Sequence, residues 1–184
     1  FNGGSVAIRY SELLDFPSDN DTFVDGHNDA LYFPFGNHEG ISTLIGWCKD
    51  DGIDAGGDSP GTVTVSDCWI ESCFHEGLAL SGADKIVHVR DTVILNCGQA
   101  VEAGYLSPNV ALERCLFTGN GVGARLGDNY AGGHLGFLTM TASLSLFNRR
   151  DVWGLSRDLR AEKISRMKIE GNHLSRLHDS FPNN

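Results

Sequence analysis

Apolar and polar residues alternate along most of this chain in short runs, and the runs recur. Val6-Ala-Ile-Arg-Tyr-Ser-Glu-Leu13 is matched by Val63-Thr-Val-Ser-Asp-Cys-Trp-Ile70, by Ile86-Val-His-Val-Arg-Asp-Thr-Val-Ile94 and by Val110-Ala-Leu-Glu-Arg-Cys-Leu-Phe117. Aligned in this way, Ser11, Cys68, Thr92 and Cys115 form a column of small side chains. Leu13, Ile70, Ile94 and Phe117 form a large apolar column two residues on. Period-two spacing puts both columns on one inward face of a strand. Leu138-Thr-Met-Thr-Ala-Ser-Leu144 and Met167-Lys-Ile-Glu-Gly-Asn-His-Leu174 continue the series, with Ser143 and Asn172 in the small column.

A second phrase follows each of these runs. Asp51-Gly-Ile-Asp-Ala-Gly56, Glu76-Gly-Leu-Ala-Leu-Ser81 and Gln99-Ala-Val-Glu-Ala-Gly104 are three copies, with Asp29-Ala-Leu-Tyr-Phe-Pro34 before them and Asn120-Gly-Val-Gly-Ala-Arg125 after. With Ala30, Gly52, Gly77, Ala100 and Gly121 as equivalent positions, the steps are 22, 25, 23 and 21 residues. Self-similarity at that period means a solenoid of stacked coils, here about seven. Longer late steps require insertions. The Gly-rich Asp128–His134 reads as a loop, and Ser156–Ser165 as a segment with one short helix capped by Ser156. Leu14–His27, holding Asp15, Asp19, Asp21 and Asp25, reads as a long acidic loop.

At 184 residues the chain reads as one domain over 1–184, and its start at Phe1 suggests a piece of a larger product or a processed or cloned fragment. The formal net charge of -10 argues against nucleic acid, whose affinity rests on basic side chains replacing counterions. No apolar run approaches the roughly 18 residues of a membrane span. The 5 cysteines contain no C-x-x-C pair. Cys48, Cys73 and Cys97 precede successive copies of the phrase and stack as one column of buried, reduced thiols.

These residues together resemble the right-handed parallel β-helix, or pectin lyase-like, family. Asp50-Asp-Gly-Ile-Asp-Ala-Gly-Gly-Asp58 followed by Gly61-Thr-Val-Thr-Val-Ser-Asp-Cys-Trp-Ile70 is the kind of phrase those repeats use. The likeness covers Ser5 to about Leu174 and is nearest to β-helix segments of bacterial surface and secreted proteins. It implies an all-β solenoid, an extracellular or cell-surface setting, and a polysaccharide or surface glycan as partner. Relatives of this fold include lyases, hydrolases and adhesins, so the fold does not set the activity.

The repeated phrase builds one side of the helix. With Leu31, Ile53, Leu78, Val101 and Val122 inward, the outward positions are Ala30, Gly52, Gly77, Ala100 and Gly121, and then Tyr32, Asp54, Ala79, Glu102 and Gly123. That predicts a shallow groove with acids in it, edged by Asn28, Asp50 and His75 and by Asp29, Asp51 and Glu76. Three readings follow. In a polysaccharide lyase or glycoside hydrolase, Asp50, Asp51, Asp54 and Glu102 are the catalytic candidates, with Tyr32, His75, Glu76 and Arg125 for substrate. Coils repeat at ~4.8 Å, so Asp29 and Asp51 stand about 5 Å apart and Asp54 and Glu102 about 10 Å, spanning the range glycosidases use. Polygalacturonases carry an Asn-x-Asp-Gly, an Asp-Asp and a Gly-His-Gly phrase on successive coils; Asn28-Asp-Ala30, Asp50-Asp-Gly52 and His75-Glu-Gly77 resemble them, with an extra residue between His75 and Gly77 and no Arg-x-Lys.

The second reading is a calcium site at Asp29, Asp51 and Asp54, since stacked carboxylates offer hard oxygens and pectate lyase-like β-helices use such a cation. Lyase chemistry also wants a proton acceptor, for which Arg90, Arg125 and Lys85 are the basic candidates. The third reading is turn chemistry, Asp capping amides and Gly taking positive φ at coil corners. The expectation is a carbohydrate-binding or polysaccharide-cleaving β-helix module, with a structural or adhesive segment as the alternative. Val6-Ala-Ile opens the series without a polar cap, which predicts end-to-end pairing of copies or cover by a further segment.

Overall fold

The computed structural model describes residues 2–16, 28–127, 135–154 and 166–175. Every described element is a strand, and each pairs in parallel with its equivalent in the neighbouring coil, on both sides except at the ends of each sheet. Sheet A consists of β1 (Asn2–Arg9), β4 (Phe35–Ile41), β7 (Gly61–Ser66), β10 (Lys85–Arg90), β13 (Asn109–Glu113), β16 (Leu138–Thr141) and β19 (Met167–Glu170). Sheet B consists of β2 (Glu12–Phe16), β5 (Leu44–Cys48), β8 (Trp69–Glu71), β11 (Val93–Leu95), β14 (Leu116–Thr118), β17 (Leu144–Leu146) and β20 (His173–Leu174). Sheet C has β3 (Leu31–Tyr32), β6 (Ile53–Ala55), β9 (Glu76–Leu80), β12 (Gln99–Ala103), β15 (Val122–Leu126) and β18 (Arg150–Gly154). The chain is therefore a parallel β-helix. Its described residues make slightly fewer than the expected seven coils, because the last contributes only β19 and β20. The expected short helix at Ser156–Ser165 and the loop at Asp128–His134 lie outside the described residues, as does most of the acidic loop.

Two residues per coil make the corners. Tyr10, Ser42, Asp67, Asp91, Arg114 and Ala142 all hold φ between 49 and 54, and each follows a sheet A strand. Five residues later, Asp15, Trp47, Ser72, Asn96, Gly119 and Phe147 repeat the left-handed conformation. A non-glycine residue there costs on the order of 1–2 kcal/mol. The cost is offset by inter-coil hydrogen bonds from the same residues: Ser42 N–H to Ser66 O at 3.0 Å, Asp67 N–H to Arg90 O at 3.2 Å, Asp91 N–H to Glu113 O at 3.0 Å. Alternation alone reads Val63 to Ile70 as one strand. The left-handed Asp67 divides it, so Val63 and Val65 enter the core from sheet A while Cys68 and Ile70 enter from the next side.

The small column lies just beyond the first corner and gains Thr43 as a member. Its Ser, Thr and Cys side chains donate to the carbonyl two residues back, as from Thr43 Oγ1 to Ile41 O and Thr92 Oγ1 to Arg90 O, and such a side chain can accept from the coil before, as Thr92 Oγ1 does from Cys68 N–H at 3.3 Å. Small polar side chains there satisfy buried backbone groups. A second ladder runs through the cysteine column. Cys48, Cys73 and Cys97 are buried free thiols, as expected, and Asn120 and Asn148 continue the column, with Asn120 Oδ1 accepting from Cys97 N–H and Asn148 Oδ1 from Asn120 N–H, both at 2.9 Å. Large apolar rows fill the centre: Ile45, Ile70, Ile94 and Phe117 from sheet B against Ile53, Leu78 and Val101 from sheet C and Val65, Val89 and Leu112 from sheet A.

Candidate functional site

The outer face of sheet C carries the residues singled out above, but in a register that differs from the expected one in two ways. First, the Gly and Ala column does not face out. Ala100 is fully buried, and a Cβ at Gly77 would lie 2.5 Å from Ile94 Cγ2 and 2.9 Å from Ala100 O. The ladder passes from the Gln99–Glu76 pair directly to the Val101–Leu78 pair, so two consecutive residues point inward where the chain rounds the corner. Small residues stand there because the core leaves no room for larger ones, not to floor a groove.

Second, the fifth coil is shifted by two residues. Val101 pairs with Ala124 and Glu102 with Arg125, so Arg125 replaces Gly123 in the outward row. That row runs Tyr32, Asp54, Ala79, Glu102, Arg125, Trp153, one residue per coil. Beside it, Glu76, Gln99, Val122 and Arg150 form a second register row.

At the corner before sheet C the acids are stacked as anticipated, and the backbone uses them. Asp51 N–H donates to Asp29 Oδ1 at 3.2 Å, and Glu76 N–H donates to Asp51 Oδ1 at 2.8 Å. Asp50, Asp51 and Glu76 are 4%, 6% and 2% exposed. Burial, reinforced by the Glu76 carboxylate, pushes the Asp51 carboxyl up to about 10, so it stays protonated at neutral pH. Burial pushes Glu76 up as well, but hydrogen bonding to His75 and that residue's charge outweigh it and hold Glu76 below its ordinary value. His75 Nδ1 lies 2.6 Å from Glu76 Oε2, 3.6 Å from Asp50 Oδ1 and 3.8 Å from Asp51 Oδ1, and the bond to Glu76 raises its pKa to about 9 despite partial burial. The cluster therefore holds one proton on Asp51, one negative charge on Glu76 and a cationic imidazole between them and solvent.

The chain of contacts then crosses to the basic end. Gln99 Nε2 donates to Glu76 Oε1 and, at 2.5 Å, to Glu102 Oε2. Arg125 NH1 reaches the same Glu102 oxygen at 2.5 Å and Gln99 Oε1 at 3.1 Å. Arg125 and Arg150 both lie over the Trp153 ring, at 5.0 and 3.9 Å from its centroid. Asp50, Asp51, His75, Glu76, Glu102 and Arg125 thus belong to one continuous polar band, while Asp54 and Tyr32 lie further along the row toward the first coils.

Three donors, from Asp50, Asp51 and His75, lie within 4.8 Å of one another. Asp51 is common to this group and to the calcium set expected from the stacked acids, and His75 adds an imidazole nitrogen, which suits softer ions. Of the basic candidates for a lyase, Arg90 is exposed on sheet A and Arg125 alone stands in this face. Lys85 is 1% exposed, and its Nζ donates to Ala55 O at 2.6 Å and Gly56 O at 2.5 Å, so it fastens the backbone after β6; burial draws its pKa down to about 8.

Arg149, Arg150 and Trp153 are the participants that the repeated phrase does not bring forward, whereas Gln99 opens one of its copies. The signal for them was a step: Cys115 to Ser143 is 28 residues, and the same step from Arg125 lands on Trp153.

No family model matches the chain, no curated protein matches it, and no solved structure matches it. What the structure bears out of the expected likeness is the parallel β-helix itself.

Proposed function

We propose that this chain is a carbohydrate-binding β-helix module whose ligand lies along the outer face of sheet C. The observation that supports it best is the single register holding Tyr32, Asp54, Glu102, Arg125 and Trp153. At ~4.8 Å per coil the row is about 24 Å long, an extended strip with two carboxylates and a guanidinium between an aromatic at each end. Sugars are recognised by such mixtures, hydroxyls by charged and amide groups and ring faces by aromatic side chains. The resemblance to pectin lyase-like proteins and to β-helix segments of bacterial surface and secreted proteins favours the same reading and an extracellular or cell-surface setting.

Cleavage is the stronger form of the proposal. A polysaccharide lyase or glycoside hydrolase here would use Asp51 as the proton-bearing acid, with Asp50, Asp54 or Glu102 as the second carboxylate. Burial of Asp51 and its bond to the Glu76 amide favour binding over cleavage. The same amide bonds favour, as the second reading, a structural or adhesive segment in which the acids serve the corners. Purified protein incubated with acidic and neutral polysaccharides, with and without calcium, separates the three. Binding without new reducing ends or unsaturated products is the expected result. Cleavage that disappears in Asp51→Asn establishes the enzyme, and neither binding nor cleavage on any substrate leaves the structural segment.

A further inference from the structure

The band on sheet C changes sign along its length. Its early coils hold Asp29, Asp50, Asp51, Glu76 and Asp54, whereas the last full coil holds Arg149 and Arg150 beside Arg125. Around these three arginines is a pocket of about 260 Å³, lined also by Gly98, Gln99, Gly121, Val122 and Trp153. In a chain of net charge -10, three guanidinium groups at one pocket run against the average.

Their charges are unequally balanced. Arg125 is held by Glu102 and Gln99. Among the described residues, neither Arg149 nor Arg150 has a carboxylate within ion-pair distance, and the Arg150 guanidinium is held by the Trp153 ring. An aromatic face attracts a cation and fixes its plane but leaves the N–H edges undirected. Arg149 lines the same pocket as Arg150, so two like charges face one space, and an anion held between them relieves their repulsion. The pocket floor is bare for a backbone reason: Cβ atoms at Gly98 and Gly121 would collide with the His75 and Gly98 carbonyls of the preceding coils.

We propose that this pocket is an anion subsite that selects a negatively charged sugar, its carboxylate or sulfate held by Arg149 and Arg150. The planar guanidinium fork matches either oxyanion with paired hydrogen bonds. At about 260 Å³ the space lies just under the 300–1,000 Å³ of drug-sized sites, so it admits one charged sugar unit while the rest of the glycan follows the row toward Tyr32. This inference rests on the carbohydrate reading and specifies its ligand class.

The test is calorimetric binding at low salt of a uronic-acid oligosaccharide, a sulfated oligosaccharide and a neutral oligosaccharide of the same length, with oligoglutamate as a non-sugar anion. Either acidic sugar should bind about tenfold more tightly than the neutral one, as expected for charge-assisted hydrogen bonds. Comparing the two acidic probes identifies the preferred group. Arg149→Gln, at an exposed position, and Arg150→Gln should each remove most of that preference, read as the ratio of acidic to neutral affinity within each variant. Arg150→Lys should restore part of it if a point charge contributes beside the fork. Equal affinity for neutral and acidic sugars overturns the anion subsite while leaving the carbohydrate reading intact. Oligoglutamate binding as tightly as the acidic sugars, with the same loss in both Gln variants, also overturns it. Failure of every sugar to bind overturns both.

Discussion

Asp51 is an acid that this fold keeps neutral, and that single proton governs the chemistry of its corner. Its pKa of about 10 in the folded chain stands against an ordinary 3.8, so between those values the folded protein binds a proton that the unfolded chain releases. Stability therefore falls as pH rises across that interval. His75 acts in the same direction. With a folded pKa of about 9 against 6.5, its contribution is complete below about pH 6.5 and is lost as pH rises through about 9. Glu76 opposes them: its lowered pKa gives stability that is present above 4.5 and lost on acidification. The melting temperature should thus be highest near pH 4 and decline from about pH 4.5 toward pH 9, more steeply above about pH 6.5 where His75 joins Asp51, at roughly 2–4 °C per kcal/mol for a chain of this size. Asp51→Asn imitates the neutral acid and should flatten the alkaline decline, changing stability near pH 5 by less than about 1 kcal/mol. A variant with the wild-type slope would remove Asp51 from this account.

At the scale of the element, corners rather than strands control what each side chain faces. Gly77 lies where the chain rounds from sheet B into sheet C, and a methyl group there meets both Ile94 and the Ala100 carbonyl. Gly77→Ala should cost about 1–3 kcal/mol as overpacking, read as a lower urea midpoint with unchanged slope. A variant as stable as the parent would show that the coil can spread. The same corners explain what was legible beforehand. Alternating hydrophobics revealed the strands around Val63, Val87 and Val110 and the columns of small and large residues, because burial on one face imposes a period of two. The strands β4 and β5 were not legible. His38 and Gly40 occupy the inward places where other coils have Val, and the buried His38 ring stacks on Phe33 with centroids 4.2 Å apart. The two-residue shift in the fifth coil was hidden as well, since Gly121-Val122 and Gly123-Ala124 fit the repeated phrase equally well. Most of the site's members were readable because columns gather like residues. Its register was not, because a bulged corner counts residues differently from a strand.

At the scale of the molecule, stacking leaves open faces at the two ends of the described helix. Among the described residues β1 and β2 pair on one side only, as do β19 and β20, and unpaired backbone groups at strand edges are templates for another chain. End-to-end pairing should appear as elution that shifts to larger size as concentration rises, and monomeric elution at every concentration would count against it. The asymmetry of sheet C adds direction to the solenoid. With acids gathered toward the early coils and Arg149 and Arg150 in the last full coil, a glycan with charged and neutral segments would bind in one orientation.

The two left-handed corners stand five residues apart in every coil, from Tyr10 and Asp15 to Ala142 and Phe147, whereas the distance from one coil to the next ranges from 23 residues, Asp91 to Arg114, to 32, Tyr10 to Ser42. All variation in coil length therefore falls between the second corner of one coil and the first corner of the next, the stretch that carries the sheet C and sheet A strands and their turns. Sheet B and the corners beside it act as a fixed gauge, and the rest of the coil absorbs every insertion. For protein engineering, this divides the molecule into a spine of constant pitch and a margin that can be rewritten. Duplicating the 24 residues from Asp67 to Arg90 would lengthen the recognition strip by one ~4.8 Å step while carrying a complete pair of corners with it.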